Sequence, residues 1–162
     1  MRFVYICQIM FGQGRSSSDL NTMPVFRHEI VIQRPIDAVF AAVADVHTHP
    51  KWQAGLLETE SRGGAPGVGE TGVEVRRMFG RVARFPYEIT RFEPPQAWGF
   101  RALDGPIRPS AVLHFKSTPS GTLVTSHLTV PGVAGWLLGP LMLRQQRRNY
   151  QCLKTLLETG KL

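Results

Sequence analysis

Between Val25 and Gln33 apolar and polar residues alternate, with Phe26, Ile30 and Ile32 on one side and Arg27 and Glu29 on the other, which predicts a half-buried strand. The period then changes. Pro35 opens a helix where its missing N–H does no harm, and Ile36, Val39, Phe40 and Val43 follow at helical spacing until Asp45 to His49, ahead of Pro50. From Leu56 to Val130 strand-like runs are cut by Gly63-Gly64, Pro66-Gly67, Gly80, Pro94-Pro95, Asp104-Gly105-Pro106 and Pro119-Ser120-Gly121, a meander of about six strands. A last helix spans Leu141 to Thr159. Met142, Tyr150, Leu153, Leu156 and Leu157 form its apolar stripe, and Arg144, Arg147, Arg148, Gln151, Lys154 and Glu158 lie opposite.

Gln146 and Asn149 interrupt that stripe. A buried amide without partners costs roughly 1–3 kcal/mol, so two of them facing a core imply hydrogen-bonding protein groups, water or a ligand on that side. The helix therefore reads as one wall of a cavity. Two hairpins suggest the opposite wall. A two-residue turn at Ser120-Gly121 sets Phe115 opposite Ser126, Leu113 opposite Leu128 and Ala111 opposite Val130, leaving His114, Lys116, Thr125 and His127 outside. With Gly80 at the tip of a second turn, Val73, Val75, Arg77 and Phe79 share a face with Ala83, Phe85, Tyr87 and Ile89, while Glu74 and Glu88 point outward. Trp98, Phe100 and Ala102 make a further inward row. The economical assembly is an α+β fold in which a curved antiparallel sheet of about seven strands is closed by the long C-terminal helix.

At 162 residues and 43% hydrophobic content the chain can bury one core, so residues 23–162 are expected to form one domain. Residues 1–22 are expected to be an N-terminal extension, disordered or upstream of a start at Met23. Its apolar run, Phe3 to Phe11, is too short to span a bilayer, and no stable membrane insertion is expected. The net charge of +7 and pI near 10.1 come from basic residues scattered singly or in pairs, which does not point to nucleic acid. The basic outer face of the last helix offers a membrane or partner surface, or is solvated charge. Cys7 and Cys152 suggest neither a disulfide framework nor a zinc site, which fits a reducing, cytoplasmic compartment.

Candidate chemistry is sparse. Arg77, facing an apolar interior, would hold a ligand carboxylate or enolate through its guanidinium fork; a register slip of one residue would put it in solvent instead. Ser126, Gln146 and Asn149 would orient the polar end of a ligand, and Tyr87, Trp98, Phe100, Phe115 and Met142 would supply apolar walls, or plain core. His47 and His49 have no evident third ligand nearby, so no metal is expected. The absence of a nucleophile elbow, phosphate loop or dinucleotide fingerprint leaves no cofactor to expect.

Five segments together resemble the START-like (SRPBCC) superfamily in its polyketide cyclase/dehydrase branch. They are Arg34-Pro35-Ile36-Asp37-Ala38-Val39-Phe40, Asp45 to Trp52, Ile89-Thr90-Arg91-Phe92-Glu93-Pro94-Pro95, Gly121 to Thr125 and Leu153 to Glu158. The resemblance implies a helix-grip fold with a deep hydrophobic cavity between sheet and C-terminal helix, used by members for lipids, sterols, polyketides, plant hormones or quinones. Some members catalyse cyclisation or hydrolysis and many only bind, so two functions follow. One is binding of a hydrophobic or aromatic small molecule. The alternative is an aromatase/cyclase-type enzyme in which Arg77 or Tyr87 assists enolate formation.

Overall fold

The computed structural model describes residues 24–61, 66–78, 80–105 and 107–162. The expected N-terminal extension, Cys7, Gly63-Gly64 and Phe79 lie outside them. In chain order the elements are β1 (Val25–Ile32), α1 (Ile36–Ala44), a 3-10 turn (Val46–Thr48), α2 (His49–Trp52), β2 (Leu56–Ser61), β3 (Thr71–Met78), β4 (Arg81–Glu93), β5 (Ala97–Ala102), β6 (Ser110–Thr118), β7 (Gly121–Thr129) and α3 (Val133–Thr159). The strands make one antiparallel sheet in the order β1-β7-β6-β5-β4-β3-β2, against which α3 is laid, the α+β arrangement the sequence implies.

The first helix ends in a tertiary cap. Its last carbonyls have no partner within the helix. The Thr48 hydroxyl donates to the Ala42 carbonyl at 2.7 Å, and His49 Nε2 lies 2.8 Å from the Val43 carbonyl, while Asp45 Oδ1 accepts from the His47 amide at 3.0 Å. This local bonding folds the Asp45–Trp52 segment back under the sheet and buries both His49 and Trp52. His49 is thus a structural member of the core, not half of an exposed pair with His47.

Helix α3 begins at Val133, two turns before the expected Leu141, and carries Pro140 in its interior. Gly139-Pro140 reads as a break in sequence, yet tertiary contact overrides it. A Cβ on Gly135 would overlap the Val130 carbonyl oxygen, and one on Gly139 would overlap the Phe26 ring. The two glycines let this end of the helix press directly on β1 and the chain leaving β7. At the other end Gly160, at φ 68°, closes the helix, and the Lys161 amide donates to Leu156 at 2.9 Å. Arg34 reaches across from the β1–α1 corner, with Nε donating to the Leu157 carbonyl at 2.7 Å and an Nη to Glu158 at 2.9 Å. Both ends of α3 are therefore anchored to the first strand.

Two registers differ from expectation. In the β6–β7 hairpin the turn is Pro119-Ser120, so Leu113 faces Ser126, Phe115 faces Val124 and Ala111 faces Leu128. The slip is two residues, which preserves the faces: Ala111, Leu113, Phe115, Val124, Ser126 and Leu128 are all buried. In the β3–β4 hairpin Met78 pairs with Arg81, so the slip is one residue, and one residue inverts a strand. Tyr87 and Ile89 stay inside as expected, but Tyr87 now sits over Gly72, and β3 turns Glu74 and Arg76 inward. Arg77, expected on the inner face, is exposed on the outer one opposite Val82.

Candidate functional site

Under α3 the inner sheet face carries a continuous row of rings. His28 of β1 stacks on Tyr150 of α3 (centroids 5.9 Å apart), Tyr150 on Trp52 (6.2 Å), Trp52 meets His49 edge-on (4.9 Å), His49 meets Trp98 edge-on (5.7 Å), and Trp98 tilts against Phe100 (5.6 Å). The row crosses the sheet from β1 to β5 because the Asp45–Trp52 segment, held by its cap, inserts two rings between helix and strands. Offset and edge-on ring pairs contribute about 0.5–1.5 kcal/mol each beyond burial.

Polar groups are built into the same layer. The Tyr150 hydroxyl donates to Ser126 Oγ at 3.2 Å and accepts from Gln146 Nε2 at 3.1 Å. Asn149 Oδ1 accepts from the Ala54 amide at 3.2 Å and from Gln145 Nε2 at 3.0 Å, tying mid-helix to the chain after α2. Arg76 is largely buried between Glu74 (2.8 Å) and Gln53 (2.6 Å), which ties β3 to that chain as well. Several buried polar atoms find no protein partner: Tyr87 Oη, Trp52 Nε1, His49 Nδ1, His28 Nε2, Thr59 Oγ1 and Gln146 Oε1. Each would cost roughly 1–3 kcal/mol in a dry interior.

Burial sets the protonation states. It pushes the Tyr150 phenol up to about 12 against the opposing bonds from Ser126 and Gln146. It also raises Tyr87 to about 12, helped by the Glu70 and Glu74 carboxylates. Both phenols are therefore proton donors at neutral pH. His49 is held below its ordinary 6.5, by burial first, against the pull of the Val43 carbonyl. With Nε2–H given to Val43, its Nδ1 presents a lone pair.

A depressed histidine makes the unfolded chain the better proton acceptor, so stability rises with pH across this range and is lost as pH falls below about 6.5. His28 and His114 are shifted the same way. The urea midpoint is expected to fall between pH 7 and pH 5, and His49→Gln, which keeps a donor for Val43, to flatten that slope. An unchanged slope in the variant would refute the assignment to His49.

The sequence-derived candidates are thus sorted. Tyr87, Trp98, Phe115, Ser126 and Asn149 are buried, and Phe100, Met142 and Gln146 are partly buried; all eight belong to the layer between sheet and α3 or its packing partners. Arg77 does not reach it. Trp52, His49, His28 and Tyr150 lie outside the sequence-derived ligand-binding set; Tyr150, on the same helical stripe as Gln146 and Asn149, is the one legible in the pattern. Among the described residues, hollows open on the surface. One of about 620 Å3 lies between Arg34-Pro35 and Thr118–Gly121, and one of about 290 Å3 lies between Pro50–Ala54 and Gln145, Arg148 and Asn149. Asn149 and Trp52 of the ring row both line the second. Among the described residues no group of three His, Cys, Asp or Glu is arranged to hold a metal.

Solved structures share this architecture. The di-domain ARO/CYC StfQ from the steffimycin biosynthetic pathway superposes with a TM-score of 0.74 at 10% identity, over 86% of this chain and 52% of that one, so the chain spans about half of it. The ZhuI aromatase/cyclase from Streptomyces sp. R1128 gives 0.70 at 15% identity over 85% and 94% of the two chains. Ara h 8.0201 gives 0.72 at 12% over 85% and 99%. No curated protein matches the sequence. The family model described as polyketide cyclase / dehydrase and lipid transport matches residues 23–158, and the chain, with the helix-grip fold just described, belongs to that family.

Proposed function

We propose that the chain binds a hydrophobic or aromatic small molecule, of lipid, polyketide or quinone type, between the inner sheet face and α3. One observation carries the reading: orphaned polar atoms cluster in a layer otherwise walled by Tyr87, Trp98, Phe100, Phe115 and Met142. A mostly apolar ligand with a few oxygen atoms complements such a surface. Affinity would come mainly from apolar burial, at about 25 cal/mol per Å2, and orientation from Tyr87, Gln146 and Trp52. Arg77 is outside this site, so Arg77→Ala should bind as the parent does.

Thermal unfolding against a panel of lipids, quinones and polyketide-like aromatics tests this. A ligand at a hundred times its Kd stabilises by about 2.7 kcal/mol, which for a chain of this size raises the midpoint by about 5–10 °C. No shift across the panel would remove the proposal.

A second reading is catalytic, and the inward turn of β3 favours it. Tyr87 is a buried, protonated phenol without a protein partner, and Glu74 faces the same interior. A phenol so held would donate a hydrogen bond to a carbonyl oxygen as the Glu74 carboxylate takes the α-proton and enolate charge develops, while the walls fold the chain for cyclisation. Tyr87→Phe would then slow turnover of a polyketide substrate yet keep binding; equal turnover in the variant would exclude the mechanism.

A further inference from the structure

The outward line of α3 changes character along its length. Val133, Leu137 and Leu141 are 73%, 76% and 60% exposed, and Trp136 and Leu138 beside them are exposed as well. Residues three and four apart share a helix face, so the same line continues into Arg144 and Arg148, with Arg147 alongside, all exposed. From Val133 to Leu157 the chain carries Arg144, Arg147, Arg148 and Lys154 and no acidic residue. Lys154 is taken up by the Val31 carbonyl and Glu158. The three arginines enter no ion pair among the described residues.

We propose that this end of α3 docks on an anionic lipid surface, with Val133, Leu137 and Leu141 entering the acyl boundary and the three arginines meeting lipid phosphates. No described helix is long and apolar enough to cross a membrane, so the contact is peripheral. Charge argues against a second copy as the occupant. A second copy would bring the same face, which has no carboxylate between Val133 and Leu157 to pair with the three arginines, whereas lipid phosphates complement them. The close seating of Gly139 on β1 and of Gly135 on the chain leaving β7 holds the apolar end in place, so little ordering is required on docking.

The test is sedimentation of the full chain with vesicles of phosphatidylcholine alone and of phosphatidylcholine mixed with phosphatidylserine. Retention is expected on the mixed vesicles only, and should weaken as salt rises. The exposed double change Leu137→Glu with Leu141→Glu should release the protein. Arg144→Gln, Arg147→Gln and Arg148→Gln together should lower partitioning about a hundredfold, at about fivefold per arginine. Unchanged thermal midpoints confirm that both variants fold. Equal retention on both vesicle types, no retention of the parent, or variants retained as well as the parent would each overturn the proposal. So would a dimer in velocity sedimentation that Leu137→Glu dissociates, since the face would then belong to a second copy.

Discussion

Gly135→Ala lowers the unfolding free energy by about 1–3 kcal/mol, the cost of forcing atoms into a filled contact. In an exposed helix the same change would stabilise by roughly 0.5–1 kcal/mol, because alanine loses less backbone freedom on folding. The sign is reversed here by what the methyl meets. It would overlap the Val130 carbonyl oxygen, which is backbone and cannot rotate away, and would also crowd Pro24. Gly139→Ala meets the Phe26 ring, a side chain that can turn, and should lose less. Urea unfolding reads both as midpoint shifts at constant m-value. If both variants gained stability, the close seating of α3 on β1 and on the chain leaving β7 would be wrong.

Tyr150→Phe should cost about 2 kcal/mol in the ligand-free protein. Removing the hydroxyl deprives buried Ser126 of its donor and Gln146 Nε2 of its acceptor, and each unpaired buried group costs roughly 1–3 kcal/mol, less for Gln146 because its amide is partly exposed. Ser126→Ala alone should cost about 1 kcal/mol by orphaning the phenol instead. Combined, the two changes should be less than additive by about 1 kcal/mol, since the second removes a partner the first had already abandoned. Strict additivity in this cycle would mean that the two residues do not share a bond. The distinction matters for the proposed site, whose polar end would otherwise be assembled by the ligand itself.

The element order was legible because each part carries its own period: alternation in Val25–Ile32, helical spacing from Ile36 to Val43 and again from Met142 to Leu157. What the pattern could not carry was the geometry of turns. Pro119-Ser120 in place of Ser120-Gly121 moved one register by two residues and left every face intact. At the β3–β4 turn a slip of one residue exchanged Arg77 for Arg76 at the inner surface, and brought Glu74 in with it. Two adjacent arginines make such a strand read equally well either way up. His49 and Trp52 were hidden for a different reason. Their burial depends on bonds from Thr48 and His49 to carbonyls six residues earlier, which no periodicity encodes. Gly139-Pro140 likewise looks like a stop until β1 is laid against it.

The sheet order leaves β1 and β2 as its two margins among the described strands. A margin with unsatisfied amides invites another strand to add on, the route by which open sheet edges aggregate. At β2 the exposed Glu58 carboxylate lies on that margin, while Glu60 gives its own to Arg84 of β4, and a second copy arriving along the edge would bring like charge against Glu58. The outermost ribbon thus carries charge that opposes its own polymerisation.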